Sequence, residues 1–170
     1  TGTTSSVSTT TARGDKAVVT FYGNTFQVFV NQVSGKKAGT ADIYIDGVLK
    51  HTYKMKGDAS GVPVTIPGLD EKFHVAEVVL AKGGEMHIEA FAAWTVQPLE
   101  GPQTLDFQPL NPNVYESGYW YSNGTARETT EKKAASMYFY VKGVDTLLLT
   151  YQGGSKIYYD IEIYVDGKLH

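Results

Sequence analysis

ADIYIDGVLKH, residues 41–51, is written as a strand, a turn and the start of a second strand. Ile43 and Ile45 fall on one face while Asp42 and Tyr44 fall on the other, the period of two that a half-buried strand requires. Asp46-Gly47 is a hairpin pair, because glycine carries positive φ without strain and aspartate bonds to nearby backbone. The strand HTYKM (51–55) is its expected partner. Outward from this hairpin the alternation continues. AVVTFYG (17–23) is rich in β-branched and aromatic residues and is closed by glycine. TFQVFVNQV (25–33) puts Phe26, Val28 and Val30 on one face and Gln27, Phe29 and Asn31 on the other. GVPVTIPGL (61–69) suits the edge of a sheet, since proline gives no N–H to a ladder. KFHVAEVVLA (72–81), a Gly83-Gly84 turn and EMHIEAFAAWTV (85–96) bring the count to seven short strands in about ninety residues. No segment has a persuasive helical period, so the expected class is all-β, an antiparallel β-sandwich.

The line is nearly repeated at EIYVDGKLH, residues 162–170. Shifting the sequence by 120 positions lays Phe21-Tyr22-Gly23 on Val141-Lys142-Gly143, Ile43-Tyr44-Ile45-Asp46-Gly47 on Ile163-Tyr164-Val165-Asp166-Gly167, and Leu49 on Leu169. Agreement of three features at one offset predicts an internal duplication. The expected organisation is a flexible Thr/Ser-rich tail (1–14), a first β-sandwich module (15–97), a linker (98–114) and the first half of a second module (115–170). QPLEGPQTLDFQPLNPNV (97–114) holds four of the six prolines, which sets the linker. SMYFYVKG, DTLLLTYQGG and IYYDIEIYVDG are expected to repeat the first three strands. An incomplete copy leaves an open edge, to be closed by downstream residues, another chain or another part of this one.

Composition bounds the function. Apolar residues make up 42% of the 170, enough to bury a core. A net charge of −3 argues against nucleic acid, which asks for a concentrated positive field. Absence of cysteine excludes disulfides, thiolate zinc sites and thiol nucleophiles. No apolar run reaches the ~20 residues of a membrane span, and no signal-peptide pattern opens the sequence.

Val19-Thr20-Phe21-Tyr22-Gly23, Val28-Phe29-Val30, Gly39-Thr40-Ala41-Asp42-Ile43-Tyr44-Ile45-Asp46-Gly47 and His74-Val75-Ala76-Glu77-Val78-Val79 together resemble the galactose-binding-domain-like jelly-roll modules appended to bacterial and phage glycoside hydrolases and SGNH-type esterases. The resemblance covers about residues 15–96 and part of 115–170. It implies a jelly-roll-like sandwich and carbohydrate or cell-surface binding, although many such modules are spacers. The second copy departs from the pattern in lacking the H-x-V-x-V-V half, and the first in lacking a counterpart of Gly118-Tyr119-Trp120.

YESGYWYSNGT (115–125) is the densest aromatic stretch. Aromatic rings stack on the C–H faces of sugars while polar neighbours bond the hydroxyls. Tyr119, Trp120, Tyr121, Asn123 and Arg127 are therefore the candidate ligand-binding residues, with Tyr115 and Glu116 beside them and Trp94 added from AFAAWTV. In an extended strand Tyr119 and Tyr121 share one face and Trp120 the other. The competing reading, that these rings pack the sandwich or the contact between copies, is the leading one for this stretch and for Trp94 alike. His51, His74, His87 and His170 show no metal-ligand spacing, although His74 and His87 fall on neighbouring predicted strands. Asp46 and Asp166 are explained by turn chemistry. Calcium occurs in related jelly rolls, but no ligand cluster supports it here, so no cofactor or metal is expected. Glu77, Glu85, Glu89, Asp70 and Glu71 give no paired acid and base, no G-x-S-x-G is present, and no catalytic residue is assigned. Arg13-Gly14-Asp15 matches an integrin-type tripeptide that chance readily supplies.

The expectation is a non-catalytic carbohydrate- or cell-surface-binding β-sandwich protein, placed outside the cell or on a cell or virion surface. Its partners are a glycan or cell-surface polysaccharide, and further a second copy of the chain or a downstream domain. The alternatives are an assembly module completed by strand exchange, or the accessory region of an esterase or glycosidase.

Overall fold

The computed structural model describes residues 7–106, 111–122, 124, 126–130, 135–150 and 161–170. The first part is a sandwich of eight strands: β1 (Ser8–Thr10), β2 (Lys16–Gly23), β3 (Thr25–Val30), β4 (Thr40–Ile45), β5 (Val48–Lys54), β6 (Val62–Ile66), β7 (Lys72–Lys82) and β8 (Met86–Trp94). One sheet runs β1-β8-β3-β6 and the other β2-β7-β4-β5, with every pairing antiparallel. That is the strand order of an eight-stranded jelly roll. The expected class is therefore the observed one, and the seven strands read from the sequence are β2 to β8.

The period-two pattern becomes two inner faces. Phe26, Val28, Val30, Val62, Val64, Ile66, Met86 and Ile88 point in from one sheet, and Ala41, Ile43, Ile45, Tyr53, Ala76, Val78 and Leu80 meet them from the other. Phe26 is fully buried between Phe21 and Phe91, with ring centroids 4.9 and 5.9 Å away. β6 lies at the end of its sheet, where its proline requires it to be.

Two expectations need correction in this part. Ser8–Thr10 lies within the stretch read as a tail, yet it pairs with Met86–Ile88 as an edge strand. An edge strand needs no apolar face, and β-branched threonine suits it. His74 and His87 are not on paired strands either, because β7 and β8 belong to opposite sheets. The Gly83-Gly84 turn carries the chain between sheets. Gly84 has φ 121°, and a Cβ there would meet backbone atoms of Lys37, Ala38 and Gly39 at 2.6 Å.

Beyond the sandwich the described strands are short: β9 (Leu99–Glu100), β10 (Tyr115–Ser117), β11 (Tyr121–Ser122), β12 (Arg127–Glu128), β13 (Ser136–Tyr138), β14 (Val141–Lys142), β15 (Tyr164–Val165) and β16 (Lys168–Leu169). They pair as β10-β13, β11-β12, β15-β16 and, in parallel, β9-β14. Among the described residues there is thus no second set of three long strands. SMYFYVKG gives two short strands, Asp145–Thr150 none, and residues 151–160 lie outside the described residues. The two hairpins do turn alike. Asp46 and Gly47 have φ 51° and 77°, and Asp166 and Gly167 have φ 50° and 74°, positive at both central positions as a type I′ turn demands.

Candidate functional site

The aromatic stretch is laid on the outer face and edge of the β1-β8-β3-β6 sheet. Gly118 N–H donates to the Pro63 carbonyl at 2.7 Å, and Thr65 N–H donates to Ser117 Oγ at 3.0 Å. Thr65 Oγ1 donates to the Glu116 carbonyl at 2.7 Å and accepts from Gln27 Nε2 at 2.8 Å. Thr65 and Gln27 are outward positions of β6 and β3, alternating with the core valines, so their burial is the work of this segment. Trp94 is also outward on β8, and its ring lies 5.5 Å from that of Tyr115. Tyr140 completes the cluster, its ring 6.4 Å from Tyr115 and its hydroxyl accepting from Gly68 N–H at 2.8 Å.

On this base stand the candidate residues. Tyr119 and Tyr121 lie on one side with ring centroids 6.1 Å apart at 32°, as their spacing predicts. Tyr119 is exposed and Tyr121 half-buried. The Trp120 indole is half-buried and donates from Nε1 to the Ser117 carbonyl at 3.0 Å. Tyr121 Oη donates to Glu128 Oε2 at 2.9 Å. Arg127 is drawn to Glu116 in a fork, Nε to Oε1 and Nη2 to Oε2, both at 2.6 Å. Their side chains are 17% and 12% exposed. This bidentate pair ties β12 to β10. The structure therefore brings Tyr119 and Tyr121 together, uses Arg127 as a brace, and seats Trp94 against Tyr115 in the contact beneath. Asn123 lies outside the described residues.

The other titratable groups are structural in their contacts. Asp46 reaches across the sheet: Oδ1 accepts from Val75 N–H at 2.9 Å, and Oδ2 lies 2.7 Å from His74 Nδ1. The backbone bond first and His74 second hold its carboxyl below the usual carboxylate range. The other nitrogen of the buried His74 faces the Asp70 carbonyl at 2.8 Å. Glu77 pairs with Lys16 at 2.9 Å, and Glu85 lies 3.0 Å from His87. Burial lowers the pKa of His51, whose Nε2 has no hydrogen-bond partner among the described residues. Among the described residues no three metal-ligating side chains gather, and no helix is long and apolar enough to cross a membrane.

Reasoning from the sequence missed an open groove of about 520 Å³ on the outer face of the opposite sheet, walled by Arg13, Thr40, Asp42, Tyr44, Thr52 and Lys82. The outward assignment of Asp42 and Tyr44 was its one available signal. The rest is assembled from residues far apart in the chain.

No protein-family model and no curated protein matches the chain. Solved structures similar to it include the CBM36-1 domain of a multidomain xylanase from the hindgut metagenome of Trinervitermes trinervoides, at 20% identity over 49% of this chain and 73% of that one, with a TM-score of 0.41. A family two carbohydrate esterase from Clostridium thermocellum, in complex with cellohexaose, is similar at 19% identity over 54% of this chain and 30% of that one, with a TM-score of 0.37.

Proposed function

We propose that this chain is a non-catalytic carbohydrate- or cell-surface-binding module of a larger extracellular bacterial or phage protein. The observation that carries this reading is the Tyr119–Tyr121 pair, two neighbouring rings raised on a braced segment outside the core. Such a pair offers ring faces to sugar C–H groups, with Tyr hydroxyls and the Glu128 carboxylate beside it for sugar hydroxyls. Trp120 positions the segment through its bond to Ser117. Screening on a glycan array, followed by titration of Tyr119→Ala and Tyr121→Ala, tests the reading. Loss of affinity by tenfold or more, at about 1.4 kcal/mol per decade, supports it. Undiminished binding in both variants removes this site.

A second reading, assembly between chains, is favoured by the exposure of Leu147, Leu148, Ile161, Tyr164, Val165 and Leu169. It predicts oligomers that dissociate on dilution and no sugar affinity, which light scattering across a concentration series distinguishes.

A further inference from the structure

We propose that the outer face of the β2-β7-β4-β5 sheet is a second saccharide-binding surface and that it takes polysaccharides bearing carboxylate groups, an inference that rests on the glycan-binding reading above. The two outer faces of the sandwich differ. On β1-β8-β3-β6, Thr25, Gln27 and Thr65 are buried under the aromatic segment. On the opposite sheet Val18, Tyr22, Phe73 and Val75 stay exposed, Phe73 at 72%.

Register places the charges of this open face. Thr40 lies opposite Lys54 on one side and Lys82 on the other, and Asp42 lies opposite Thr52 and Val79. Two lysines therefore flank the Thr40 position across three adjacent strands. Arg13 joins them from the loop before β2, held there because Gly14 N–H donates to the Leu80 carbonyl and Leu80 N–H to the Asp15 carbonyl, both at 2.9 Å. Asp42 is the one carboxylate walling the groove, and it accepts from Thr52 Oγ1 at 2.6 Å. Among the described residues none of Arg13, Lys54 and Lys82 enters an ion pair, whereas the nearby Lys16 is taken by Glu77. Arg13 and Lys82 thus wall the groove against one carboxylate, with Lys54 opposite Thr40 and with Glu77, opposite Tyr44, taken by Lys16, in a chain whose net charge is −3. Guanidinium and ammonium donors recognise carboxylates by charge-assisted bonds, while Tyr44 offers a ring and Thr40 and Thr52 offer hydroxyls.

The face also has length. Phe73 lies six residues along β7 from Val79, about 20 Å at ~3.3 Å per residue. There it meets Tyr22 edge-on, with centroids 5.2 Å apart at 70°. A uronate polymer lying along β7 would reach from the cations past Tyr44 to this exposed aromatic pair.

The test is an amide chemical-shift titration of the whole chain with tetragalacturonate and with its carboxyl-reduced counterpart. The expected result is shift changes at Thr40, Asp42, Tyr44 and Lys82, with affinity that falls as salt rises. Arg13→Ala combined with Lys82→Ala, both exposed positions, should weaken tetragalacturonate about tenfold or more and leave the reduced sugar unaffected. Equal binding of both sugars in the groove overturns the anionic assignment. Saccharide binding confined to 115–128, lost in Tyr119→Ala and Tyr121→Ala but kept in the groove variant, overturns this inference and leaves the proposed function standing. A chain that binds neither these sugars nor any glycan of the array overturns both.

Discussion

Replacing Arg127 by Met isolates what holds the aromatic segment in place. Methionine keeps much of the bulk and removes the two 2.6 Å bonds to Glu116. Glu116, 12% exposed, is then a nearly buried carboxylate without its partner. Breaking such a pair costs about 3 kcal/mol. The bonds that fasten β10 itself to the sheet are Gly118 to Pro63, Thr65 to Ser117 and Thr65 to Glu116, with Gln27 Nε2 also 3.5 Å from the Glu116 carbonyl. At about 1 kcal/mol each the first three total roughly 3, so the pair that ties β12 to β10 is worth about as much as the bonds that tie β10 to the sheet. The segment lies outside the core cluster, so the loss should appear as local opening, not global unfolding. Amide hydrogen exchange across 115–128 should quicken by about 150-fold, which is ~3 kcal/mol at 1.36 per decade. Amides of Ile43 and Val78, deep in the sandwich, should keep their wild-type rates. Adding Glu116→Gln to the variant should restore much of the protection, since no charge is then left unpaired. Exchange at 115–128 that rises less than threefold in Arg127→Met would refute the account of the segment as held by this pair.

Phe26→Ala empties a site enclosed by Phe21 and Phe91, and urea titration should show a loss of about 3–5 kcal/mol. Gly84→Ala, at φ 121° with three backbone atoms at 2.6 Å, should cost at least the ~1–3 kcal/mol of a strained backbone. Gly83→Ala, which meets nothing within 4 Å, should be nearly silent in the same thermal melts. Asp46 has a folded pKa below its ordinary 3.8. Its contribution is therefore full above that value and lost as pH falls through the lower folded one. Asp46→Asn, which tolerates the positive φ, should flatten the acid limb of urea stability measured from pH 6 to pH 3. His51 behaves oppositely in origin: burial lowers its pKa from 6.5, so the unfolded chain takes up the proton first and stability declines as pH drops below that value. His51→Gln should remove that decline.

Much of the sandwich was legible because its strands carry their burial in a period of two. Ile43 and Ile45 against Asp42 and Tyr44 point inward and outward in the structure as they do on paper. The edge position of β6 followed from the two prolines of 61–69, Pro63 and Pro67. β1 escaped because Ser8–Thr10 has no apolar face to announce it; its pairing depends on the backbone that β8 offers. In 115–170 the likeness to the first strands did not reveal the pairings of β10 with β13 and of β9 with β14, because likeness to a strand does not name the neighbour it bonds to. In the candidate site, the shared side of Tyr119 and Tyr121 followed from spacing. The partnership of Arg127 with Glu116 did not, since eleven residues separate them. Arg13, Asp42 and Lys82 come together only when β2, β4 and β7 lie side by side.

The bonds from Thr65 and Pro63 to residues 116–118 also bear on where the chain can be cut. Excising 15–97 as a free-standing unit would strip the covering from Gln27, Thr25 and Thr65, and it would return the backbone of β6 to solvent as an unsatisfied rim. The excised piece should self-associate along that rim, so the smallest well-behaved unit of this protein extends at least through Tyr140.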